Sequence, residues 1–307
     1  MEPPKILVGI ASYHDPELLP TLQDCLAKAT HKERLVFAVV NQYDQTTQHT
    51  LDYFAKENLK LVQLDYRQSY GVGYARRLMT DLYTNEDFCL QIDAHTRFEQ
   101  GWDEALLQEW RACNDPKAVL SAYPTPFTYN GKGEVIFTPY TKVAAMSVSK
   151  YISYIPIFKG TMSAAPEIVR HSIIGLSAGF AFGTGDIFAI PYIRDVCFMG
   201  EEFIRAFQLY SYGFNFYAPN LLPLFHLYDR KNTRFWHDMP RDGKQAKYSQ
   251  MTANSYRFIR QLLSGSLPDY TAHFGTVRSL ADYEKHLNTT ICLPAGDAAD
   301  VEPQVSQ

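Results

Sequence analysis

An α/β fold, with a mostly parallel sheet flanked by helices and a small antiparallel insertion, follows from three patterns in the chain. Short, fully apolar runs recur at Ile6–Ile10, Leu35–Val40, Leu59–Leu64, Phe88–Ile92 and Val119–Ala122. Such runs are the mark of strands buried on both faces. Segments with helical apolar spacing fall between them, and strand–helix alternation of this kind builds a parallel sheet through crossover connections. The stretch from Tyr123 to Arg170 breaks the alternation: it is rich in Pro, Tyr, Thr and Ser with short β-prone runs. Antiparallel strands and long loops are expected there, the usual place for substrate-specific structure.

Each element has its own reason. Ile6–Ile10 is the first strand. Asp15-Pro16-Glu17 reads as a helix start, with apolar spacing through Leu18, Leu22 and Leu26. Leu35–Val40 is the second strand, and Thr46–Glu57 is predicted to be helical. Leu59–Leu64 is the third strand, after which Gly71-Val72-Gly73 opens a helix over Tyr74–Tyr83. Phe88–Ile92 is the fourth strand and stops at Asp93. Trp102–Ala112 is predicted to be helical, and Val119–Ala122 is the fifth strand. Regular structure returns at Ala178–Phe182 and Ile187–Ile190. A helix over Glu201–Tyr210 ends at Gly213, and Asn215–Ala218 is a strand. A further apolar stretch leads to His226. Helices near Ala246–Leu263 and Ser279–Leu287 close the domain, and the tail after Pro294 is expected to be disordered.

Composition removes several classes of function. Of 307 residues 46% are hydrophobic and 20% charged, the globular range, so a sizeable core is available. Lys plus Arg number 29 against 33 Asp plus Glu, and the net charge of -4 argues against nucleic-acid binding and an electrostatic membrane anchor. The cysteines, Cys25, Cys89, Cys113, Cys197 and Cys292, are odd in number and form no CxxC. Buried free thiols in a reducing compartment are expected rather than disulfides or a zinc knuckle. The apolar run after Met1-Glu2-Pro3-Pro4-Lys5 is too short for a signal sequence. The most apolar stretch, Ile173–Ile190, is interrupted by four glycines and Asp186, so a buried strand and loop are expected and a membrane span is not. A cytoplasmic location follows as the expectation.

Ligands of parallel sheets bind at the carboxyl ends of strands, and the chemistry-bearing residues follow strands here. Gln91-Ile92-Asp93-Ala94-His95 puts a carboxylate and an imidazole two residues apart after an apolar run; in extended chain they point the same way. Oxygen and imidazole nitrogen together suit a Mn²⁺-type cation. The bland alternative is an Asp helix cap beside an exposed His. Gly71-Val72-Gly73-Tyr74-Ala75-Arg76-Arg77 places helix N–H groups and arginines where they can meet phosphate, though it is neither GxGxxG nor a Walker loop. A turn with a surface basic pair explains it equally well. Gly200-Glu201-Glu202 sits at a helix start, where the dipole already favours acids. His226 in His226-Leu227-Tyr228 gains meaning as a further ligand if a metal site exists. No GxSxG elbow, HExxH or dinucleotide fingerprint is present.

The ordered set Ile10-Ala11-Ser12-Tyr13-His14-Asp15, Gly73-Tyr74-Ala75-Arg76, Asp93-Ala94-His95 with Trp102-Asp103, Ala178-Gly179-Phe180, Gly200-Glu201-Glu202 and His226-Leu227-Tyr228 resembles a family of GlcNAc-transferases. That family is typified by the cytosolic enzyme that glycosylates a hydroxyproline of an SCF ubiquitin-ligase subunit. The set is more distantly similar to the polypeptide GalNAc-transferases, and the likeness runs from about Lys5 to Arg230.

The resemblance implies a GT-A fold in one domain over residues 1–293, with a nucleotide-binding half at about 5–122 and an acceptor and metal half at about 123–293. It implies a UDP-sugar donor, a divalent cation (usually Mn²⁺), and retaining transfer of a sugar, GlcNAc by family lean, to a hydroxyl acceptor such as a protein side chain. Asp93, His95 and His226 would hold the cation. Ala11-Ser12-Tyr13 would touch the uridine, and Gly73 and Arg76 would face the UDP-sugar. Glu201 or Glu202 would contact the sugar or lie beneath its anomeric carbon. Cation and Arg76 would stabilise the leaving UDP while the acceptor attacks from the same face. Ala94 stands where the family often has Ser, with its side chain expected to point away, and His14 stands where the family often has Arg. Residues Thr125–His171 match nothing in the family. Two other readings compete: a non-catalytic sugar- or peptide-binding protein on this fold, and a nucleotide-sugar pyrophosphorylase or phosphohydrolase. The latter usually shows a Gly-rich basic loop after its first strand, and Ile10-Ala11-Ser12-Tyr13 lacks one.

Overall fold

Side-chain alternation along the central strands sets the architecture. In strand β1 (Ile6–Tyr13) Ile6, Val8 and Ile10 enter one apolar cluster and Leu7 the opposite one. Strand β2 (Leu35–Tyr43) repeats this, with Leu35, Phe37 and Val39 on one side and Ala38 and Val40 on the other. A sheet apolar on both faces needs a helical layer on each. A computed structural model describes residues 3–52, 54, 58–139, 142–152, 154–164, 171–172, 174–229, 235–288 and 291.

Between β1 and β2 lies helix α1 (Leu18–Lys28). Next come β3 (Leu59–Asp65), α2 (Val72–Thr80), β4 (Phe88–Ile92), β5 (Thr96–Phe98), α3 (Trp102–Ala112) and β6 (Ala118–Ser121). The middle holds β7 (Thr125–Tyr129), β8 (Val135–Phe137), β9 (Lys142–Ile152), β10 (Ile155–Ala164) and β11 (His171–Ser172). The last part is β12 (Phe180–Thr184), α4 (Asp186–Ala189), α5 (Glu201–Ser211), β13 (Asn215–Ala218), β14 (Leu224–His226), α6 (Phe235–Arg241), α7 (Gln245–Leu263), α8 (Tyr270–His273) and α9 (Leu280–Leu287).

The main sheet has the order β11-β13-β6-β12-β4-β1-β2-β3. The pairs β3–β2, β2–β1, β1–β4 and β6–β13 are parallel, whereas β12 runs antiparallel to both its neighbours. Helices α1 and α3 cover one face through Leu18, Leu22, Trp102 and Leu106. Helices α2, α5 and α9 cover the other through Ala75, Met79, Phe203, Phe207 and Tyr283. The middle region is antiparallel as expected, with β9–β10 forming one hairpin and β7–β8 another.

The helix expected over Thr46–Glu57 is not seen. Residues 46–52 form successive turns, while 53 and 55–57 lie outside the described residues. Asp44 Oδ1 accepts from the backbone N–H groups of both Thr46 and Thr47 at 2.9 Å, a local alternative to helix hydrogen bonds that Asp and Thr favour. The apolar stretch to Ile190 becomes β12 and α4. No helix among the described residues is long and apolar enough to cross a membrane. Cys25, Cys89, Cys113 and Cys197 are buried, and no disulfide joins them to one another; Cys292 and the tail lie outside the described residues.

Trp102-Asp103 does structural work. Asp103 and Arg34 are both fully buried. Asp103 accepts from the Thr30 and His31 backbone N–H groups at 2.8 and 3.0 Å and from Arg34 Nε at 3.1 Å. Burial pushes this carboxyl up, but the two backbone donors and Arg34 outweigh it and hold it below the usual range. Asp103→Ala leaves a buried guanidinium with only Glu104 at 2.7 Å, and is expected to cost about 3 kcal/mol in urea unfolding at neutral pH. A lowered native pKa gives stability that is lost as pH falls below the ordinary value of 3.8. The gap between variant and wild type should therefore narrow in acid.

Candidate active site

The main sheet ends its strands β1 and β4 side by side, with Ile10 opposite Ile92. One residue beyond β4, the chain leaves the sheet at Asp93, bends through Ala94 and His95, and resumes as β5. Strand β5 pairs antiparallel with β14, Thr96 opposite His226, and the Leu227 N–H donates to the His95 carbonyl at 3.1 Å. That pairing brings His226 across from the far part of the chain. Its Nε2 lies 3.0 Å from Asp93 Oδ2, and His95 Nε2 lies 3.8 Å from the same oxygen. One ligand-capable atom from each of Asp93, His95 and His226 falls within 4.8 Å of the others.

Two features fit this cluster to a cation. His95 Nδ1 is 2.9 Å from Asp15 Oδ2, which turns Nε2 toward Asp93 in the carboxylate–histidine arrangement that orients metal ligands. Gly179 leaves the space open: a Cβ there would stand 3.3 Å from Asp93 Oδ2 and 3.4 Å from the His226 ring. One carboxylate and two imidazoles suit a borderline divalent ion such as Mn²⁺. Burial pushes the Asp93 carboxyl up, but the His226 hydrogen bond and the charges of His95, His226 and Arg76 hold it well below the usual range.

Arg76, 4% exposed, links this cluster to α5. Its Nη1 is 2.6 Å from Glu201 Oε1, and its Nη2 is 3.3 Å from Asp93 Oδ1 and 3.1 Å from the Ala178 carbonyl. Burial opposes the charge, yet Glu201, Tyr192 and Asp93 raise the guanidinium above its ordinary value. The Ala178 peptide is a junction. Its carbonyl also accepts from Gln91 Nε2 at 2.9 Å, and its N–H donates to Glu202 Oε1 at 2.7 Å. The Tyr192 hydroxyl donates to Gln91 Oε1 at 2.7 Å and so fixes that amide. Tyr123 donates to Glu202 Oε2 at 2.7 Å. Burial raises Glu202 to about 7, with Glu201 adding to the rise and the Ala178 and Tyr123 donors opposing it.

A cavity of about 560 Å³ opens over these groups. Ala11, Tyr13, Arg76, Asp93, His95, Glu201 and Glu202 line it together; Ser12, Gly73 and His226 are not in its wall. Ser12 is fully buried and its carbonyl accepts from Gln42. The N–H groups of Val72 and Gly73 donate to the carbonyls of Cys197 and Val196 at 2.7 and 3.0 Å. The glycines serve that close approach: a Cβ on Gly71 or Gly73 would lie 2.2 or 2.4 Å from those oxygens. The turn is thus a packing device, and Arg76 is its member that faces the cavity. Ala94 borders the cavity as well, but it is buried and belongs to the apolar cluster under α1 and α3, in keeping with the expectation that its side chain turns away from Asp93 and His95.

Asp15, Gln91, Tyr123, Ala178 and Tyr192 carry the site's support, and sequence reasoning assigned them no such role. Asp15 was legible only as a helix-start residue, which it also is, accepting from the Glu17 N–H at 3.0 Å. Nothing local marks Tyr123 or Tyr192, because their partners are 79 and 101 residues away.

A carboxyl raised in the folded state favours folding when protonated. The cost of ionising Glu202 therefore appears as pH rises from its ordinary 4.5 through about 7. Glu202→Gln keeps an acceptor for Ala178 and removes that cost. Its melting temperature should gain on wild type across this window and hold the gain above it; parallel pH profiles of the two proteins would refute the assignment.

No match was found among curated proteins. Among solved structures, one of GalNAc-T7 with UDP, GalNAc and Mn²⁺ matches with a TM-score of 0.59 at 13% identity, covering 94% of this chain and 55% of that one. The chain thus spans about half the length of GalNAc-T7. S. aureus TarS 1-349 matches at a TM-score of 0.48 and 15% identity, over 82% of this chain and 70% of that one. The likeness to GalNAc-T7 makes the fold GT-A. The family model Glycosyltransferase (GlcNAc) matches residues 43–282, most of the chain, and the chain belongs to that glycosyltransferase family.

Proposed function

We propose that this chain is a divalent-cation-dependent, retaining transferase that moves GlcNAc from UDP-GlcNAc to an acceptor hydroxyl on a protein side chain. The observation that carries this reading is the Asp93–His95–His226 cluster, joined through Arg76 to Glu201, with Asp93, His95, Arg76 and Glu201 lining one cavity. About 560 Å³ is in the range of small-molecule sites. The family description names GlcNAc, and the GalNAc-T7 structure holds UDP, GalNAc and Mn²⁺. A hydroxyproline acceptor is compatible with this reading. The buried thiols of Cys25, Cys89 and Cys197 support a cytoplasmic setting.

In this reading Asp93, His95 and His226 hold the cation, and Asp15 keeps His95 in register. The bound cation supplies positive charge beside the diphosphate. Ala11 and Tyr13, at the end of β1, form the nucleoside side of the cavity, with Ser12 behind them. Gly73 lets α2 pack so that Arg76 faces the diphosphate, where a fixed guanidinium stabilises the leaving UDP. Glu201 keeps Arg76 in place. Glu202, near half-protonated at neutral pH, meets the sugar. The acceptor oxygen bonds to the anomeric carbon on the face that UDP leaves, the bond from that carbon to the phosphate oxygen breaks, and the hydroxyl proton passes to the departing phosphate, which retains the anomeric configuration.

Two measurements check it. Incubated without acceptor, the protein should release UDP from UDP-GlcNAc in the presence of Mn²⁺, and chelator should stop it. Asp93→Ala should lose this release while keeping its far-UV circular dichroism, and wild-type turnover in that variant would sink the proposal. Gln91→Glu replaces the donor to the Ala178 carbonyl with a carboxylate. It is expected to lower kcat about tenfold while KM for the donor moves little, the sign of lost transition-state stabilisation through Arg76. An equal rise in KM with kcat intact would make Gln91 a binding support only.

A further inference from the structure

Beside the cavity the surface gathers cations that lack acidic partners. Lys244, the N-cap of α7, and Lys247 in its first turn both aim Nζ at one acceptor, the Arg67 carbonyl, at 2.7 and 3.4 Å. No carboxylate among the described residues stands within ion-pairing distance of either lysine. Asp65 acts on Lys244 electrostatically, but Arg67 already forks it through Nε at 2.8 Å and Nη2 at 2.5 Å. Two ammonium groups on one carbonyl repel, and in the first turn of α7 they also oppose the helix dipole.

The pair continues into an aromatic strip. Lys247 Nζ lies 4.2 Å from the centre of the Tyr70 ring, Tyr70 meets Tyr74 edge-on at 5.3 Å, and Arg194 lies 5.2 Å from the Tyr74 ring. Arg194 is exposed and has no ion pair among the described residues. Tyr70 is 47% exposed, and its chain neighbours Ser69 and Gly71 line the cavity. In a chain of net charge -4, three cations on one strip beside the cavity are held by a carbonyl and two tyrosine rings and keep their charge without a carboxylate among the described residues. They are complementary to an anionic partner.

We propose that Lys244, Lys247 and Arg194, with Tyr70 and Tyr74 between them, dock an acidic stretch of the polypeptide acceptor and hold its hydroxyl at the cavity. This rests on the transferase reading above. Carboxylates of the peptide meet the three cations, and its backbone and side-chain stems lie on the tyrosine faces.

Fluorescence anisotropy with dye-labelled hexaglutamate tests it, with hexaglutamine as the neutral control. Wild type should bind hexaglutamate at low ionic strength, lose it as salt rises, and ignore hexaglutamine. The triple variant Lys244→Gln, Lys247→Gln, Arg194→Gln should bind about tenfold more weakly, with its melting temperature and Mn²⁺-dependent UDP release unchanged. Equal binding by variant and wild type, or none by wild type, overturns the proposal. Tighter binding of oligo(dT) than of hexaglutamate overturns it in favour of a nucleic-acid surface. Absence of UDP release with strip-dependent hexaglutamate binding counts against the transferase reading and leaves an acidic-peptide site standing.

Discussion

A guanidinium buried in the middle of a protein has to be met by charge, and Arg76 is met from four directions. Glu201 reaches it from α5, Asp93 from the end of β4, the Ala178 carbonyl from the approach to β12, and the Tyr192 ring lies 5.7 Å from it. Desolvation makes each missing partner costly. The site therefore forms only when helices α2 and α5 and strands β4 and β12 are all in place. The close glycine turn before Arg76 belongs to the same requirement. Carbonyls of Val196 and Cys197 press on Gly71 and Gly73, which sets the height at which α2 enters the sheet and so the reach of Arg76.

The Asp93–His95–His226 cluster depends on a different long-range event. Asp93 and His95 are delivered by the end of one strand, but His226 arrives through the β5–β14 pairing. Because Thr96 lies opposite His226, a register slip of one residue would turn the imidazole to the other face of that small sheet. The Leu227 N–H bond to the His95 carbonyl and the tilted contact of the Tyr228 and His226 rings, 4.2 Å between centroids, resist such a slip. The Tyr228 hydroxyl is in turn tied to the Pro124 carbonyl at 2.8 Å, next to β7. Register in a three-residue strand is thus defended by bonds at its end rather than by its length.

What the sequence made legible follows the range of the physics involved. Buried sheet strands are local apolar runs, so β1, β2, β3, β4 and β6 appear within a few residues of their expected limits, whereas the short β5 (Thr96–Phe98) has no such run and is not among the expected strands. The Ser279 capping box on α9, with Asp282 as its third residue, is a local signal too. The helix expected at Thr46–Glu57 is absent from the described residues 46–52, where Asp44 offers the backbone a competing set of bonds. The members Arg76, Asp93, His95, Glu201 and Glu202 could be picked out as charged residues after strands or at helix starts. Their support could not. Gln91, Tyr123, Ala178 and Tyr192 act through contacts of about 80 to 100 residues' separation, and no pattern in their own neighbourhood records that.

Glu201 and Glu202 show why adjacency in sequence says little about role. On a helix, consecutive residues project about 100° apart, so the two carboxyls meet different surroundings. Glu201 faces Arg76 at 2.6 Å and pairs with a full charge. Glu202 faces a peptide N–H and a tyrosine hydroxyl, neutral donors that only partly offset burial. One helix start thus presents a paired anion and a carboxyl that holds its proton near neutrality, the separation of roles by environment that acid–base sites rely on. It also settles how two acids stand side by side without repelling the helix apart. Arg76 pairs with Glu201, and burial raises Glu202 to about 7. The same guanidinium that binds Asp93 to α5 therefore holds Glu201 in place, while burial, opposed by the Ala178 and Tyr123 donors, sets the neighbouring carboxyl apart.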